Sequence, residues 1–291
     1  MAGFNLINAH QRMTAYLERH SVGQPRLASE IIIAKTLGIN RIDIYARFDR
    51  PVTGGELDAI RIKGRRLAGG EPLQLVVGDA QFLSYFFRVE PGVFIPRPET
   101  EILVETAAEY LKPRTEPPPE KILDLCAGCG VVAISLLKLF PEITAEAVDI
   151  SPKAAMLAAD NARGLGVAER FIAHSGDHFS PLQPGVRFDA VLANPPYIPS
   201  ADIVSTPAVV KDYDPRPSLD GGADGLDVVR RIIGGAPDFL KPGGLLALEI
   251  GFGQADETQR LMREGGFSER KTAKDLAGIE RIISGCHPKE H

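Results

Sequence analysis

Lys121-Ile122-Leu123-Asp124-Leu125-Cys126-Ala127-Gly128-Cys129-Gly130 opens as a short apolar run, closes in a glycine turn and leads into the apolar stretch that starts at Val131. A run of this length before a glycine turn predicts a buried strand over 121–125 feeding a helix over about 130–139. The glycines Gly128 and Gly130 let the backbone turn tightly and approach a ligand. Downstream the pattern repeats in kind. Strands are expected at 144–149, 170–174, 187–193 and 244–250, helices at 152–163, about 225–239 and 254–264, and two last strands near 268–273 and 279–285. A helix over about 99–111 and the proline-rich loop Pro117-Pro118-Pro119 precede them. Strands that alternate with helices predict an α/β fold with a mostly parallel sheet covered on both faces.

Upstream of this region the periodicity is helical. Phe4, Ile7, Met13 and Leu17 recur at helical spacing, Leu27 to Leu37 runs up to Gly38, and Gly54 to Leu67 runs up to Gly69-Gly70. Residues 1–70 are therefore expected to form a small helical domain whose use is to hold a partner. Residues 71–98 change character: Leu73 to Val77, Gly78-Asp79 and Phe82 to Val89 read as a β-hairpin, with Pro91, Pro96 and Pro98 after it. This hairpin is read as the connector to a domain spanning 99–291.

Composition narrows the function classes. The chain has 291 residues, 44% hydrophobic and 24% charged, enough for a core without disulfides or a structural metal. A net charge of -5 and a pI near 5.8 argue against a general grip on nucleic-acid backbone. The amino-terminal stretch carries no apolar core of signal-peptide type, and runs such as Gly244 to Ile250 fall far short of the roughly 20 residues that span a bilayer. Three cysteines, Cys126, Cys129 and Cys286, imply no disulfide framework, and a reducing cytoplasm is the expected home. The Cys126-x-x-Cys129 pair lacks a second pair for zinc, so it is read as small residues in a tight loop and no metal is expected.

In such sheets ligands bind beyond the carboxyl ends of the strands, so the residues there carry the chemistry. Gly128, Gly130 and Ala133 formally meet the dinucleotide pattern G-x-G-x-x-[GA], which keeps a nucleotide-binding oxidoreductase open as a rival. Asp124, on the strand before that turn, would face a pyrophosphate unfavourably but suits the ammonium of a methionine moiety. Asp149 ends the second strand, where an acid commonly accepts from ribose hydroxyls, whether of NAD or of S-adenosylmethionine. Ser151-Pro152 supplies the next helix cap and is expected to leave Asp149 free. After the third strand, Asp177-His178-Phe179 could flank an adenine, the carboxylate taking the exocyclic amine and a ring packing on the base.

The fourth strand ends in Asn194-Pro195-Pro196-Tyr197. Two prolines fix φ and remove two backbone donors while leaving their carbonyls as acceptors. Asn194 adds another acceptor oxygen and Tyr197 an aromatic face. The site fits a planar NH2 donor, either a carboxamide or the exocyclic amine of a base. No Ser/His/Asp triad is expected.

Several blocks together carry a family likeness: Gly70-Glu71-Pro72-Leu73-Gln74, Phe94-Ile95-Pro96-Arg97-Pro98-Glu99-Thr100-Glu101, the turn at 124–130, the Asn194 block, Pro215 to Asp227, and Asp275-Leu276-Ala277-Gly278-Ile279-Glu280-Arg281. In these the chain resembles the protein-(glutamine-N5) methyltransferases that modify peptide chain release factors. The resemblance spans essentially the whole chain. It implies a Rossmann-like class I methyltransferase domain, S-adenosylmethionine as donor, and a release factor whose Gly-Gly-Gln glutamine is held by Asn194, Pro195, Pro196 and Tyr197. The donor-binding candidates are Asp124, Leu125, Cys126, Ala127, Gly128, Gly130, Asp149, Ile150, Asp177, His178, Phe179 and Asn194. Cys126 stands where methyltransferases often have the first glycine, and His178 where some members carry tryptophan. A ribosomal-protein glutamine methyltransferase is the neighbouring reading, with the ending at 275–281 and the amino-terminal helices favouring release factors. An amino-methyltransferase of nucleic acid would share Asn194 to Tyr197, and the acidic pI stands against it.

Overall fold

Strands buried along almost their whole length lie at the middle of the seven-stranded sheet, and 121–125 is one of them. The computed structural model of the chain describes residues 4–112 and 120–289, so the Pro117-Pro118-Pro119 loop lies outside the described residues. In chain order the helices α1 (Leu6–Arg19), α2 (Pro25–Leu37), α3 (Asp43–Ala46), α4 (Gly54–Ala68) and α5 (Leu73–Val77) come first. A hairpin of β1 (Asp79–Phe82) and β2 (Tyr85–Arg88) follows, then α6 (Glu101–Leu111), β3 (Lys121–Leu125), α7 (Val131–Leu139), β4 (Thr144–Asp149), α8 (Pro152–Gly164), β5 (Phe171–Ser175) and β6 (Phe188–Ala193). The order ends with α9 (Ala208–Lys211), α10 (Asp227–Gly235), β7 (Leu240–Glu249), α11 (Ala255–Glu264), β8 (Ser268–Lys274) and β9 (Glu280–Cys286).

Two compact units divide these elements. Met1–Asp79 with Ala208–Tyr213 forms one, and Ala80–Pro207 with Asp214–His291 the other. In the first, Asn5 caps α1 by accepting from the Asn8 N–H at 3.0 Å, and Thr53 with Glu56 makes a reciprocal capping box on α4. Leu6, Met13, Leu17, Ile32, Ile33, Ile44 and Ile60 pack into its core. The reading of Leu73 to Val77 as a strand is corrected here. Pro72 leads into a single helical turn, Gly78 at φ 89° ends it, and Val76 joins the helical core. The strand propensity of Leu-Val-Val yields to that packing, and the hairpin is shorter than expected.

The second unit is built on a seven-stranded sheet in the order β5-β4-β3-β6-β7-β9-β8. β5 to β7 are parallel, and β9 runs antiparallel between β7 and β8. Every second residue of the inner strands, Leu123, Leu125, Val191, Ala193, Leu246 and Leu248, is buried in one cluster with Val229, Ile232 and Ile233 of α10 and Met262 of α11. Asp124 has the opposite parity and reaches α7, whose Ala133 N–H donates to it at 3.1 Å. The strand order reverses direction between β3 and β6. That switch point is where open α/β sheets leave a crevice beyond their carboxyl ends.

Candidate active site

Register aligns the strand ends. Leu125 lies level with Val148 on one side and with Ala193 on the other. The next residues out are therefore Asp149, Cys126 and Asn194 in adjacent positions, with Ser175 level with Asp149 one strand further. Gly176, Asp177 and His178 continue from that point, and the Gly176 N–H donates to the Asp149 carbonyl at 3.0 Å.

The turn after β3 is a chain of left-handed residues. Cys126, Gly128 and Gly130 have φ of 56°, 56° and 85°. Cys126 thus takes, as a non-glycine residue, a conformation that glycine adopts without cost. A side chain on Gly130 would sit 2.9 Å from Ile134 Cδ1 and 3.1 Å from Ala158 Cβ, whereas one on Gly128 would meet nothing within 4 Å. One glycine is needed for packing and the other faces open space. Leu125 is fully buried in the core and Ala127 nearly so, so only their backbone is available to a ligand.

Three acids converge around this turn. Asp124 is buried, and burial pushes its carboxyl up to about 7 against the one backbone donor from Ala133, with the charge of Asp149 adding to the rise. Asp149 is also raised by burial, against donors at Ser151 and Gly128. The Cys126 thiol is raised by its burial and by the charges of Asp149, Asp124 and Asp177 together. Asp124 and Asp149, buried carboxylates in mutual repulsion, fit a positively charged ligand.

Asp149 is not the free acid that the cap argument expects. Ser151 does cap α8 through the Ala154 N–H, but Asp149 Oδ2 accepts from the Gly128 N–H at 2.8 Å and Oδ1 from the Ser151 N–H at 2.9 Å. Each oxygen keeps acceptor capacity, since an ionised carboxylate offers about four positions. Asp149 therefore clamps the glycine turn as well as facing outward. Ile150 beside it is exposed, an apolar surface at the strand end.

Past β5, Asp177 pairs with Arg231 of α10 and with its neighbour His178. His178 takes φ 48°. Both departures noted in the sequence, at Cys126 and His178, thus fall on left-handed backbone. Phe179 does not present a free ring for a base. It stacks on Phe239 with centroids 4.7 Å apart and fills the space over Gly235, so that expectation is corrected for Phe179. The stack across α10 could not be read from the local sequence.

Asn194 begins the segment after β6. Its Nδ2 donates to Thr100 Oγ1 at 2.9 Å, and the Thr100 hydroxyl donates to Glu249 Oε2 at 2.7 Å. The Tyr197 hydroxyl lies 3.5 Å from Glu249 Oε1. Pro195 and Pro196 are buried, and no backbone N–H among the described residues donates to the Pro195 carbonyl. The Tyr197 carbonyl accepts from Gln254 Nε2 at 2.9 Å, and Ile198 bridges Leu219 and Gly221. Gly225 at φ 80° leaves room for the Tyr197 carbonyl that any side chain there would strike. The Pro215 to Asp227 block is thus the buttress that holds the Asn194 segment in place. Arg97 pairs with the buried carboxylate of Asp214, whose Oδ1 also accepts from the Ile95 N–H at 3.1 Å.

Thr100 and Glu249 were missed as site residues. Glu249 ends β7 as Asp149 ends β4, so the strand-end rule carried to the fifth parallel strand would have found it. Among the described residues no cluster of His, Cys, Asp or Glu could hold a metal, and Cys126 and Cys129 are not joined in a disulfide. No described helix is long and apolar enough to cross a membrane.

Comparison with known proteins adds the following. Residues 8–78 match the family described as the PrmC N-terminal domain, and residues 85–211 match the methyltransferase small domain. The chain is 40% identical over 270 residues to a release factor glutamine methyltransferase of Geobacter sulfurreducens, covering 93% of this chain and 92% of that one. It is likewise 40% identical over 270 residues to a release factor glutamine methyltransferase of Moorella thermoacetica, covering 92% and 94%. Among solved structures, a 16S rRNA N2 methyltransferase of T. thermophilus, in complex with AdoMet and guanosine, superposes with a TM-score of 0.54 at 22% identity. That match covers 72% of this chain and 49% of the other, and the likeness is one of fold.

Proposed function

The chain belongs to the release factor glutamine methyltransferases, and on that premise we propose that it transfers a methyl group from S-adenosylmethionine to the side-chain amide nitrogen of the glutamine in the Gly-Gly-Gln motif of a peptide chain release factor. The observation that carries this reading is the state of Asn194. Its amide nitrogen is committed to Thr100, so its oxygen is left as an acceptor beside the unclaimed Pro195 carbonyl.

An amide nitrogen is a poor nucleophile because its lone pair is delocalised into the carbonyl. Two fixed acceptors, Asn194 Oδ1 and the Pro195 carbonyl, take its two N–H groups and aim the nitrogen. They also favour positive charge developing there. Orientation of this kind is worth roughly 7–11 kcal/mol in well-aligned systems. Pro196 keeps the segment rigid, and Tyr197 lends an aromatic wall. No strong base is required, since a methylated cationic amide nitrogen sheds its proton readily.

The donor fits the acid-lined turn. S-adenosylmethionine supplies an electrophilic methyl on a cationic sulfur. Asp124 lies where it would balance the ammonium and sulfonium charges, and Asp149 would accept from the ribose hydroxyls. Ile150, Asp177 and His178 would surround the adenine. Leu125, Cys126, Ala127, Gly128 and Gly130 would contribute backbone and room, with Asn194 between donor and substrate. Of Phe179 only the backbone is assigned to this site.

Residues 1–70 are assigned to recognition of the release factor, 71–98 to the connection and 99–291 to catalysis. A cytoplasmic setting, where release factors act, is in keeping with a Cys126-x-x-Cys129 pair that is not oxidised to a disulfide. The test is mass spectrometry of a release factor incubated with this protein and S-adenosylmethionine. A mass gain of one methyl localised to the Gly-Gly-Gln glutamine is expected, and an unmodified glutamine refutes the assignment.

A further inference from the structure

An asparagine amide can offer a neighbour its oxygen or its NH2, and a half-turn about the last side-chain bond exchanges them. The reaction proposed for this site needs the oxygen to face the substrate. Nothing in Asn194 itself decides the matter. The decision is made behind it, by Thr100 and Glu249, which are both buried.

An ionised carboxylate only accepts hydrogen bonds. Glu249 Oε2 lies 2.7 Å from Thr100 Oγ1, so the ionised form takes the single hydroxyl hydrogen of Thr100. Thr100 Oγ1 is then purely an acceptor toward Asn194 at 2.9 Å. Only the NH2 of Asn194 satisfies it, and the amide oxygen is turned outward. Protonation of Glu249 reverses each step. The acid now donates to Thr100, Thr100 turns its hydrogen to Asn194, and the Asn194 oxygen is drawn inward while its NH2 confronts the N–H groups of the substrate.

We propose that Thr100 and Glu249 are positioning residues that lock the Asn194 amide with its oxygen toward the substrate, and that the lock holds only while Glu249 is ionised. The proposal rests on the reading that Asn194 accepts from the substrate amide. The groups that act on Glu249 are the Thr100 and Tyr197 hydroxyls, the Glu99 carboxylate and the Arg281 guanidinium of β9. Burial, aided by Glu99 and opposed by Thr100, Arg281 and Tyr197, pushes its carboxyl up to about 7. The lock therefore opens and closes inside the range of cellular pH, and turnover rises with pH through that value.

The experiment measures kcat against pH with a release factor as substrate, in the wild type, Thr100→Val, Thr100→Ser and Glu249→Gln, with donor Kd by calorimetry for each. In the wild type kcat climbs with a midpoint near pH 7. Thr100→Val keeps the shape and loses the hydroxyl. Its kcat falls by about a hundredfold at high pH, the factor that one hydrogen bond to a charged group can supply. Donor Kd stays at the wild-type value, and the acid limb disappears. Thr100→Ser restores most of the rate together with the limb. Glu249→Gln, which cannot ionise, removes the limb while Thr100 is untouched. Wild-type kcat in Thr100→Val, or an acid limb that survives in Glu249→Gln, overturns the relay. A wild-type protein that leaves the glutamine unmethylated fails before any substitution is made and overturns the functional reading instead.

Discussion

Alanine at Gly128 and alanine at Gly130 should give opposite phenotypes, although the two lie in one turn and share a left-handed backbone. Placing a Cβ on such a residue costs about 1–2 kcal/mol. A smaller gain of ~0.4–1 kcal/mol comes from restricting the unfolded chain. For Gly128→Ala that is the whole account, because the added methyl meets no atom within 4 Å. Net destabilisation should stay near 1 kcal/mol. For Gly130→Ala the methyl lands 2.9 Å from Ile134 Cδ1, 3.1 Å from Ala158 Cβ and 3.4 Å from Ala158 Cα. The Ile134 methyl can swing aside, but Ala158 is anchored on α8, so α7 and α8 must part. Overpacking of this kind adds roughly 1–3 kcal/mol, for a total near 3 kcal/mol. Donor binding runs the other way. The open space over Gly128 is where we propose that the donor binds, so its methyl should weaken the donor Kd at least about tenfold, or ~1.4 kcal/mol. Urea denaturation and calorimetry on both variants, at one pH, read the two effects separately. Equal loss of stability in the two, or wild-type donor affinity in Gly128→Ala, would refute the division of labour between these glycines.

Three further outcomes follow from the site. Asn194→Ala should abolish methylation of the release-factor glutamine while the fold, read by circular dichroism, stays intact; near-normal turnover would sink the assignment. Asp149→Ala removes both the proposed ribose acceptor and the clamp on the Gly128 N–H, and its donor affinity should fall about 10–100-fold, in keeping with lost hydrogen bonds to a charged group. An unchanged Kd contradicts that role. Asp124 has a folded pKa of about 7, raised above that of an unfolded aspartate, so its contribution favours folding at low pH and is lost as pH climbs from about 4 to 7. The span corresponds to at most ~4 kcal/mol. Asp124→Asn should therefore flatten part of the decline in urea midpoint between pH 5 and pH 8, leaving the part due to Glu249, and should bind donor poorly. A decline as steep as in the wild type would show that Asp124 is not the group responsible.

Much of this site could be read from residues in order along the chain. The β3 run and its glycine turn, the acids at Asp124 and Asp149, and the rigid Asn194 segment are local features, and period and turn chemistry suffice to find them. What escaped was set by distance in sequence. Thr100 meets Asn194, and Glu249 meets Thr100, only because α6 follows a proline-bounded turn and β7 pairs with β6. The Phe179 ring is claimed by Phe239 across α10, and no local rule predicts a stack between residues so far apart. Leu73 to Val77 erred in the same way. Its composition favours a strand, but its burial is granted by helices that come much earlier. Asp149 shows a subtler limit: the cap at Ser151 forms as expected, but it does not leave Asp149 free of backbone contacts, because the acid also accepts from the Gly128 and Ser151 N–H groups.

The placement of β9 also dictates an order of assembly. It fills a gap inside the sheet, yet it follows every other described strand, and its partner residues Leu245 and Cys286 are far apart in the chain. Until 268–286 has formed as a hairpin and docked, the edge of β7 stays open along Leu245 to Glu249. That edge is apolar, without proline, and carries a single charge at Glu249. An uncovered strand of this kind is a template for pairing with other chains. A chain in which β9 has not yet docked exposes the apolar edge of β7 to other chains. Substitutions that slow the β8–β9 hairpin should lower the yield of soluble protein even where the finished fold is just as stable.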